Sequence, residues 1–420
     1  MVVPLRIAVL GLNYEPEPTG IAPYTSNMVR FLGDAGHDVH VLTGFPHYPW
    51  WRIPDGYTGL RRHETDGAAT VTRLRHPVPS NPTGASRILA EAAFAAHTAT
   101  ALPARLDVVV AISPALLTVA AGLLRRRSGQ TALGVVVQDL YGRALAETGV
   151  MGGRAARAAT TLERALLSRA DGVVAIHDTF RESMVELGVD PSRISIIPNW
   201  THARPATSGR AETRARLGWD ENETIALHAG NIGAKQGLES VVEAARLAQA
   251  AGRNVRYVLL GDGNQRAALE ELAIGCDRVS FVDPLPKDEF PDTLAAADVL
   301  VLNELPGIAE MCVPSKLTSY FAAGRPVVAA TDERSAAATE IALSGGGVRT
   351  EPGDPAALLR TTLELASDPA VALGFGERGR AYARSVLAED AARSRYLAWV
   401  ERLAASRATR AAGEAVSTAI

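Results

Sequence analysis

The 420-residue chain is too long for one ordinary hydrophobic core and suits two domains of about 200 residues each. Apolar residues make up 47% of it and charged residues 21%, a composition that excludes wholesale disorder. The formal net charge of −3 is too balanced for a dedicated nucleic-acid binder.

The cysteines and the N-terminal segment favour a cytoplasmic protein. Cys276 and Cys312 are the only cysteines and form no Cys-x-x-Cys pair, which argues against a disulfide framework and a structural zinc site. The first residues, MVVPLRIAVLGL, lack a basic region and run directly into a strand pattern, so no signal peptide is predicted. No purely apolar run reaches the length of a membrane-spanning helix, and we expect at most attachment to a membrane surface.

The first half alternates β-branched runs with Ala- and Leu-rich segments of helical period, the pattern of a parallel sheet covered by helices. Strands are predicted at 6–11, 38–43, 70–74, 108–112, 134–139, 172–176 and 194–197. Helices are predicted at 22–32, 87–102, 154–170 and 181–187. A first Rossmann-like domain is therefore predicted over residues 1–203.

The second half begins after a polar segment without either period, WTHARPATSG at 200–209, which is predicted to link the domains. Strands follow at 224–229, 255–260, 279–282, 298–302 and 327–330, and helices at 238–251, 265–272 and 315–323. This pattern predicts a second Rossmann-like domain over 210–380. A helix over 381–405 is long enough to return to the first domain, and 406–420 is predicted to be a flexible tail.

The predicted fold class is therefore α/β, with two doubly wound domains facing across a cleft. Such sheets bind ligands beyond the carboxyl ends of their strands. The turns that follow the predicted strands are accordingly the first places to look for chemistry.

The first turn, GLNYEPEPTG, leaves a strand at Gly11 and opens a helix near Gly20, where free amides would attract an anion or sugar hydroxyls. An ordinary surface loop explains these residues equally well. Gly11 lacks the dinucleotide-binding spacing, and the later GDG segment has Arg266 at the third glycine position. Both observations disfavour a nicotinamide enzyme.

The second domain opens with a strand that ends in HAGNIGAKQG, residues 228–237. Three glycines and Lys235 at a strand-to-helix turn would let the backbone approach a diphosphate while the ammonium group neutralises it. A plain connection between a strand and a helix is the alternative. The segment does not match the Walker pattern, so a P-loop ATPase is not supported.

The sharpest pattern is PSKL at 314–317, which follows an acidic loop. Pro314 and Ser315 suit the start of a helix that ends at Gly324. The helix amides, the Ser315 hydroxyl and Lys316 would converge on one phosphate. Only three of the 43 basic residues are Lys, which favours this interpretation over a capped helix with a surface Lys.

Two positions in the first domain are further candidates. Asp139 ends the apolar strand VVVQD and either positions a reacting group or caps a helix. His47 lies in the aromatic loop FPHYPWW, whose rings could stack on sugar faces. No Asp-x-Asp motif occurs, so no divalent-metal site is predicted.

In these motifs, the chain resembles the family 4 glycosyltransferases, which have the two-domain GT-B architecture. It is most similar to the branch of colanic-acid and other exopolysaccharide biosynthesis. The similarity extends over nearly the whole chain, and its order and spacing are more specific than any one motif. The segments that carry it are LGLNYEPEPTGIAPYT, FPHYPWWRIPDGY, VVVQDL, SRADGVVAIHDTF, IIPNW, GNIGAKQGLE, GDG and VPSKLTSYFAAGRPVVA.

The resemblance implies transfer of a hexose from a nucleotide-sugar donor on the second domain to a saccharide acceptor on the first. The family works with retention of configuration and without a bound metal or other cofactor, because positive groups offset the charge of the leaving diphosphate. The implied acceptor is linked to a polyprenyl diphosphate at the inner membrane face, which implies peripheral membrane contact.

The residues and the resemblance together give three groups of site candidates. The catalytic candidates are Asp139, Glu310, Lys235 and Lys316. The donor-binding candidates are Gly20, Gly230, Asn231, Gly261, Val282, Pro314, Ser315, Leu317 and Ser319. The acceptor-binding candidates are Tyr24, His47 and Tyr48, and no metal ligand is predicted.

The chain departs from the family pattern at two places. Asn231 stands where the family often has Arg, and Ser319 stands where it often has the Glu that holds the donor ribose. Glu310 precedes Ser319 by nine positions rather than eight. Two other functions stay open: a sugar-nucleotide 2-epimerase of the same architecture, which needs no acceptor, and a non-catalytic nucleotide-sugar-binding protein.

Overall fold

Two units make up the chain, and each contains one sheet. Unit 1 comprises Met1–Asn199 together with Ala392–Ile420, and unit 2 comprises Trp200–Ala391. The computed structural model describes residues 3–18, 20–80, 84–126, 131–140, 153–202, 204–307 and 315–418.

Unit 1 contains an eight-stranded sheet in the order β3-β4-β2-β1-β5-β6-β7-β8. Its strands are β1 (Arg6–Gly11), β2 (Asp38–Gly44), β3 (Arg61–Asp66), β4 (Ala69–Leu74), β5 (Val108–Ser113), β6 (Ala132–Val137), β7 (Gly172–Ala175) and β8 (Ile194–Ile196). All neighbours are parallel except the antiparallel pair β3 and β4. The central strands are apolar and buried throughout because helices cover both faces of a parallel sheet.

The described helices of unit 1 lie between its strands in the chain, but β2, β3 and β4 follow one another directly, and the last helix comes from the end of the chain. They are α1 (Ala22–Asp34), α2 (Gly84–Ala101), α3 (Leu116–Arg126), α4 (Gly153–Leu167), α5 (Thr179–Glu186) and α14 (Glu389–Thr418). A single 3₁₀ turn, Pro191–Arg193, precedes β8.

Helix α14 packs on unit 1 through Trp399, which is almost fully buried. Two glycines in adjacent strands, Gly134 in β6 and Gly172 in β7, leave room for its indole. A Cβ at Gly134 would lie 2.5 Å from the Trp399 ring, and one at Gly172 would lie 3.1 Å from its nitrogen. The first distance would force the ring to move and the second is tighter than most real Cβ contacts, so these glycines shape the seat of α14.

Unit 2 contains a fully parallel six-stranded sheet in the order β11-β10-β9-β12-β13-β14. Its strands are β9 (Thr224–Ala229), β10 (Val255–Leu260), β11 (Val279–Val282), β12 (Val299–Asn303), β13 (Val327–Ala330) and β14 (Gly347–Thr350). Numbered within the unit, this is the strand order 3-2-1-4-5-6 of a Rossmann fold.

The described helices of unit 2 number eight, and several begin or end at residues suited to those positions. They are α6 (Arg210–Leu217), α7 (Glu239–Ala250), α8 (Arg266–Leu272), α9 (Phe290–Ala296), α10 (Lys316–Ala323), α11 (Ala336–Ser344), α12 (Pro355–Ser367) and α13 (Pro369–Ser385). Ser335 and Asp354 cap α11 and α12 by accepting hydrogen bonds from backbone amides. Gly324 ends α10 in the left-handed conformation that L side chains disfavour.

Each sheet reverses its strand order next to its first strand. In unit 1, β1 lies between β2 and β5, and in unit 2, β9 lies between β10 and β12. Connections leave the sheet in opposite directions on the two sides of such a strand, which opens a crevice at the carboxyl ends. The candidate turns at Gly20 and Gly230 follow these two strands.

The structure departs from the predicted elements in several places. It adds elements that the sequence did not predict: β3, α3, α6, α9, α11, α12 and β14. The segment predicted as one helix over 381–405 belongs to two helices, α13 and α14, and α14 continues to Thr418 through the predicted tail. The helix is interrupted where the Leu387 side chain enters the core and its carbonyl accepts a hydrogen bond from the Thr201 amide.

Candidate functional site

The turn after β9 lies where unit 2 reverses its strand order, and close backbone contacts fix its shape. Gly230 has φ +130° and Gly261 has φ +141°, and a Cβ at Gly261 would lie 1.9 Å from the Gly230 carbonyl oxygen. Gly230 and Gly261 donate backbone hydrogen bonds to the Leu260 and Val282 carbonyls (both 2.9 Å). The predicted positions Gly230, Gly261 and Val282 therefore lie in neighbouring turns, which backbone hydrogen bonds join to one another.

Asn303, at the end of β12, fixes the far side of the same turn. Its amide nitrogen donates to the carbonyls of Gln236 (2.8 Å) and Gly237 (2.9 Å). The backbone amide of Leu305 donates to the Lys235 carbonyl (2.9 Å), while Lys235 itself is exposed. Asn231 is also exposed and hydrogen-bonds to the Gln236 side chain (3.4 Å).

Lys316, the first residue of α10, lies beside this turn. Its ammonium nitrogen is 3.2 Å from His228 Nε2, and a Cβ at Gly230 would lie 3.6 Å from it. Tyr320, one helical turn later, anchors α10: its hydroxyl accepts a hydrogen bond from the Ala229 amide (2.8 Å) and lies 3.3 Å from the Val301 carbonyl. The helix is thereby held across β9 and β12.

The electrostatics of this group follow from burial. Desolvation lowers the pKa of Lys316 to about 8, and the nearby Glu304 charge opposes the shift. Desolvation also raises the pKa of Glu304, against the effects of the Thr331 hydroxyl and Lys316. A partly desolvated ammonium group at a glycine-rich turn is suited to bind an anion such as a diphosphate.

The neighbours of Lys316 on α10 lie on different faces of the helix. Ser315 is exposed, and its side chain makes no capping hydrogen bond. Leu317 is buried in the core and can offer a ligand only its main chain. Ser319 lines a separate cavity of about 890 Å³, together with residues of α9 and α13.

Unit 1 has its own cavity, of about 260 Å³, at the carboxyl ends of its strands. Gly20, His47, Tyr48 and Asp139 all line it, so four predicted residues from three separate segments are brought together. Tyr24 is not among the lining residues; it lies on α1, and burial raises its pKa to about 12.

Glu17, which the sequence analysis missed, fixes the loop that carries His47 and Tyr48. Its carboxylate is 2% exposed and accepts hydrogen bonds from the backbone amides of His47 (2.9 Å) and Tyr48 (3.0 Å). Asn13 donates to its other oxygen (2.8 Å). An acid in the first turn is the only sequence signal for this role, because the two amides whose hydrogen bonds it accepts lie some 30 residues away.

Glu91, also missed, lies on α2 and lines the same cavity while only 6% exposed. Desolvation raises its pKa to about 7, and the charge of Arg87 partly opposes that shift. Trp51 and His76 complete this part of the wall, and the pKa of His76 is lowered to about 4 by burial and then by the charge of His47. A strongly perturbed acid in a cavity is typical of a binding or catalytic site.

Two candidates, Glu310 and Pro314, lie outside the described residues. Among the residues that the structure does describe, no three His, Cys, Asp or Glu side chains converge to hold a metal ion. None of the helices in those same ranges is long and apolar enough to cross a membrane.

Two Rossmann-like units define a class of two-domain α/β proteins whose sheets bind ligands at the carboxyl ends of their strands. Comparison with known families narrows this class. Residues 19–200 match the glycosyl transferase 4-like domain, and residues 223–368 match the glycosyl transferases group 1. The putative colanic acid biosynthesis glycosyl transferase WcaI of Escherichia coli K12 is 34% identical over 399 residues, covering 89% of this chain and 96% of that protein. The chain therefore belongs to the family 4 glycosyltransferases.

Solved structures share the fold. Sucrose-phosphate synthase of Thermosynechococcus elongatus matches with a TM-score of 0.72 and 19% identity, over 96% of this chain and all of that one. The Anabaena protein HepE, in complex with UDP-glucose, matches with a TM-score of 0.65 and 17% identity, over 96% and 99% of the two chains. The predicted GT-B fold class, with two Rossmann-like domains, is confirmed.

Proposed function

We propose that this protein transfers a hexose from a nucleotide-sugar donor to a saccharide acceptor, with retention of configuration, in the synthesis of exopolysaccharide or cell-envelope glycan. We further propose that the acceptor is lipid-linked. Unit 2 holds the donor in this proposal, and unit 1 holds the acceptor.

The observation that carries the proposal is Lys316 beside the Gly230 turn. The ammonium group is held by α10 at the strand-order reversal of unit 2, where doubly wound sheets bind ligands. A donor diphosphate at this turn would meet Lys316, and the exposed Lys235 would approach it from the same turn. Both charges would stabilise the leaving group, which gains negative charge as the sugar departs.

The cavity of unit 1 supports the acceptor half of the proposal. Its volume of about 260 Å³ has room for one sugar ring, and the rings of His47, Tyr48 and Trp51 form part of its wall. Aromatic faces pack against the apolar side of a sugar, while Asp139 and Glu91 offer oxygens to its hydroxyls.

The proposed reaction forms one bond and breaks one bond at the anomeric carbon. The acceptor hydroxyl oxygen attacks the anomeric carbon from the face that the diphosphate leaves. The bond between the anomeric carbon and the phosphate oxygen breaks, and the hydroxyl proton passes to that departing oxygen. Asp139 is proposed to position the reacting groups, and Glu310 to contact the donor sugar. No metal or other cofactor has a part in this scheme.

The relatives support the biological setting. WcaI is described as a putative colanic acid biosynthesis enzyme, and HepE was solved with UDP-glucose. By analogy, we propose envelope or secreted polysaccharide as the product and a nucleoside diphosphate sugar as the donor.

An exposed patch beside the cavity of unit 1 supports the proposal of peripheral membrane contact. Trp50 is 70% exposed and Leu89 is 64% exposed, and Arg52 and Arg87 are exposed as well. The Arg87 guanidinium lies 5.7 Å from the centre of the Trp51 ring, which brings the start of α2 against the loop after β2. Apolar side chains with interspersed Arg suit an anionic lipid surface.

Vesicle sedimentation tests the membrane contact. We expect the protein to bind vesicles that contain phosphatidylglycerol and not vesicles of phosphatidylcholine alone. The Leu89→Glu variant should bind the anionic vesicles at least roughly fivefold more weakly. Leu343→Glu is the matched control, because Leu343 is similarly exposed but lies on α11 of unit 2. Equal binding by both variants would contradict the patch.

Calorimetric titration tests the donor site. We expect UDP, GDP or dTDP to bind the protein with roughly micromolar affinity in EDTA, and NAD not to bind. Lys316→Ala should weaken binding by roughly tenfold or more, because charge-assisted contacts are worth about 1.5–3 kcal/mol. Lys287→Ala is the control, since Lys287 is exposed after β11.

Other outcomes would overturn or redirect the proposal. Binding of NAD alone, or of no nucleotide, would overturn it. Conversion of a bound sugar nucleotide without an acceptor would favour the 2-epimerase, and binding without turnover on any acceptor would favour a non-catalytic protein.

A further inference from the structure

His228, the fifth residue of β9, places a buried imidazole directly beneath Lys316. It is fully buried, and its Nε2 atom lies 3.2 Å from the Lys316 ammonium nitrogen. The two residues are 88 positions apart in the chain and meet because α10 crosses the end of β9.

The chemistry of the pair fixes the role of the imidazole. An ammonium group has only donors, so a hydrogen bond between them requires Nε2 to accept and the ring proton to sit on Nδ1. Burial, followed by the positive charge of Lys316, lowers the pKa of His228 well below its usual value. The imidazole is therefore neutral and able to accept throughout the physiological pH range.

The other charged groups near Lys316 come from the segments after β12 and β13. Glu304 interacts with the ammonium charge from one side, and Asp332 in turn acts on Glu304. Neither provides a hydrogen bond to the ammonium among the described contacts, whereas His228 does. His228 thus engages one of the three ammonium donors and leaves the other two for a ligand.

We propose that His228 is a positioning residue that holds the Lys316 ammonium at the Gly230 turn, keeps it protonated, and so sets the upper pH limit of nucleotide binding. This inference rests on the proposed donor site in unit 2. It assigns His228 no contact with the donor.

The pH dependence has a defined sign. A diphosphate binds the ammonium form of Lys316, whose pKa without ligand is about 8. Affinity is therefore full below this pH and falls as the pH rises through it. Removing the His228 acceptor destabilises the ammonium form, lowers the pKa of Lys316 further, and moves the fall in affinity to lower pH.

The test is the dissociation constant of the nucleoside diphosphate that binds best among UDP, GDP and dTDP, measured by calorimetry between pH 7 and 9.5. This range lies above the last phosphate ionisation, near about 6. For the wild-type protein, affinity should begin to fall near pH 8. His228→Leu should weaken binding at pH 8 by roughly tenfold and shift the fall toward pH 7, and His228→Gln should restore the wild-type curve, because its amide oxygen can accept in place of Nε2.

Tyr257→Phe is the control for a general loss of packing. Tyr257 is fully buried on β10, and its hydroxyl bonds Thr362 (3.4 Å), on the α12 side of the sheet. This variant should keep the wild-type pH curve, and thermal melting verifies that every variant is folded. If His228→Leu is unfolded, His228→Gln is compared with His228→Asn instead. The shorter Asn amide cannot reach the ammonium group.

The outcomes separate the two proposals. Wild-type binding with the same pH curve in His228→Leu, or in His228→Asn if that variant is used, would overturn the role of His228 and leave the donor site standing. No nucleoside diphosphate binding by the wild-type protein would overturn the proposed function and this role with it.

Discussion

Glu91 is a carboxyl group that the fold holds away from water. It is 6% exposed, and burial raises its pKa to about 7, so the folded protein binds its proton more tightly than the unfolded chain does. For an acid with a raised pKa, the free energy of unfolding falls as the pH rises from the unfolded value to the folded one. We propose that the cavity of unit 1 retains this group because it binds the acceptor.

Glu91→Gln should therefore stabilise the protein in a pH-dependent manner. At pH 8 we expect a gain of about 3 kcal/mol in the free energy of unfolding, because the variant has no charge to bury. At pH 4 the gain should nearly vanish, since the carboxyl group is then mostly protonated in both the folded and the unfolded protein. Thermal melting at the two pH values measures the difference, with the exposed Glu377→Gln as control.

Equal melting temperatures for Glu91→Gln and the wild-type protein at pH 8 would contradict this account of Glu91. A gain of the same size at both pH values would also contradict it, because packing rather than ionisation would then be the cause.

Site residues could be predicted from the sequence where the evidence for them lies in neighbouring residues of the chain. Lys316 is conspicuous because Lys is rare in the chain and because it opens a helix, and the structure does place it beside the Gly230 turn. Glu17, Glu91 and His228 were missed because each acquires its properties from segments distant in the chain. Burial and long-range partners leave no local pattern to read.

At the scale of elements, the turns after β9 and β10 are fitted to each other through glycine. Gly261 has φ +141°, and a Cβ there would lie 1.9 Å from the Gly230 carbonyl oxygen. No rotamer change relieves this contact, because both groups belong to the backbone. The shape of the candidate diphosphate turn therefore depends on a residue 31 positions further along.

Gly261→Ala should destabilise the protein by about 3 kcal/mol or more and should abolish nucleotide binding. Gly252→Ala is the matched control: Gly252 also has positive φ (+61°), but a Cβ there meets nothing within 4 Å. We expect this control to cost only about 1 kcal/mol and to leave binding unchanged. Urea denaturation and calorimetry measure the two effects, and similar losses in both variants would contradict the backbone contact.

The elements predicted correctly are those with a strong period, such as the buried strands β5 and β6. Strand β3, RRHETD, was missed because it lies at the sheet edge and has no apolar face. Helix α3 was missed because it is apolar over most of its length, and the break before α14 because it depends on the pairing of Leu387 with Thr201.

At the scale of the whole molecule, the two units should respond separately to ligand and to mutation. In calorimetric unfolding, the nucleoside diphosphate that binds should raise the transition of unit 2, by about 2.7 kcal/mol at a hundred times its dissociation constant. Trp399→Ala should lower the transition of unit 1 by about 3 kcal/mol and leave nucleotide affinity unchanged. A shift of both transitions by the nucleotide alone would contradict the separation.

The chain path through the two units has a consequence for biosynthesis. Unit 1 is completed by α14, and the intervening unit 2, Trp200–Ala391, is inserted between its parts. At ribosomal rates of about 5–20 residues per second, the first 199 residues wait roughly 10–40 s for the helix that covers Gly134 and Gly172. Unit 2 emerges whole in that interval. The N-terminal sheet is thus made first but leaves the seat of α14 uncovered longest, and we expect a chaperone to bind the nascent chain there.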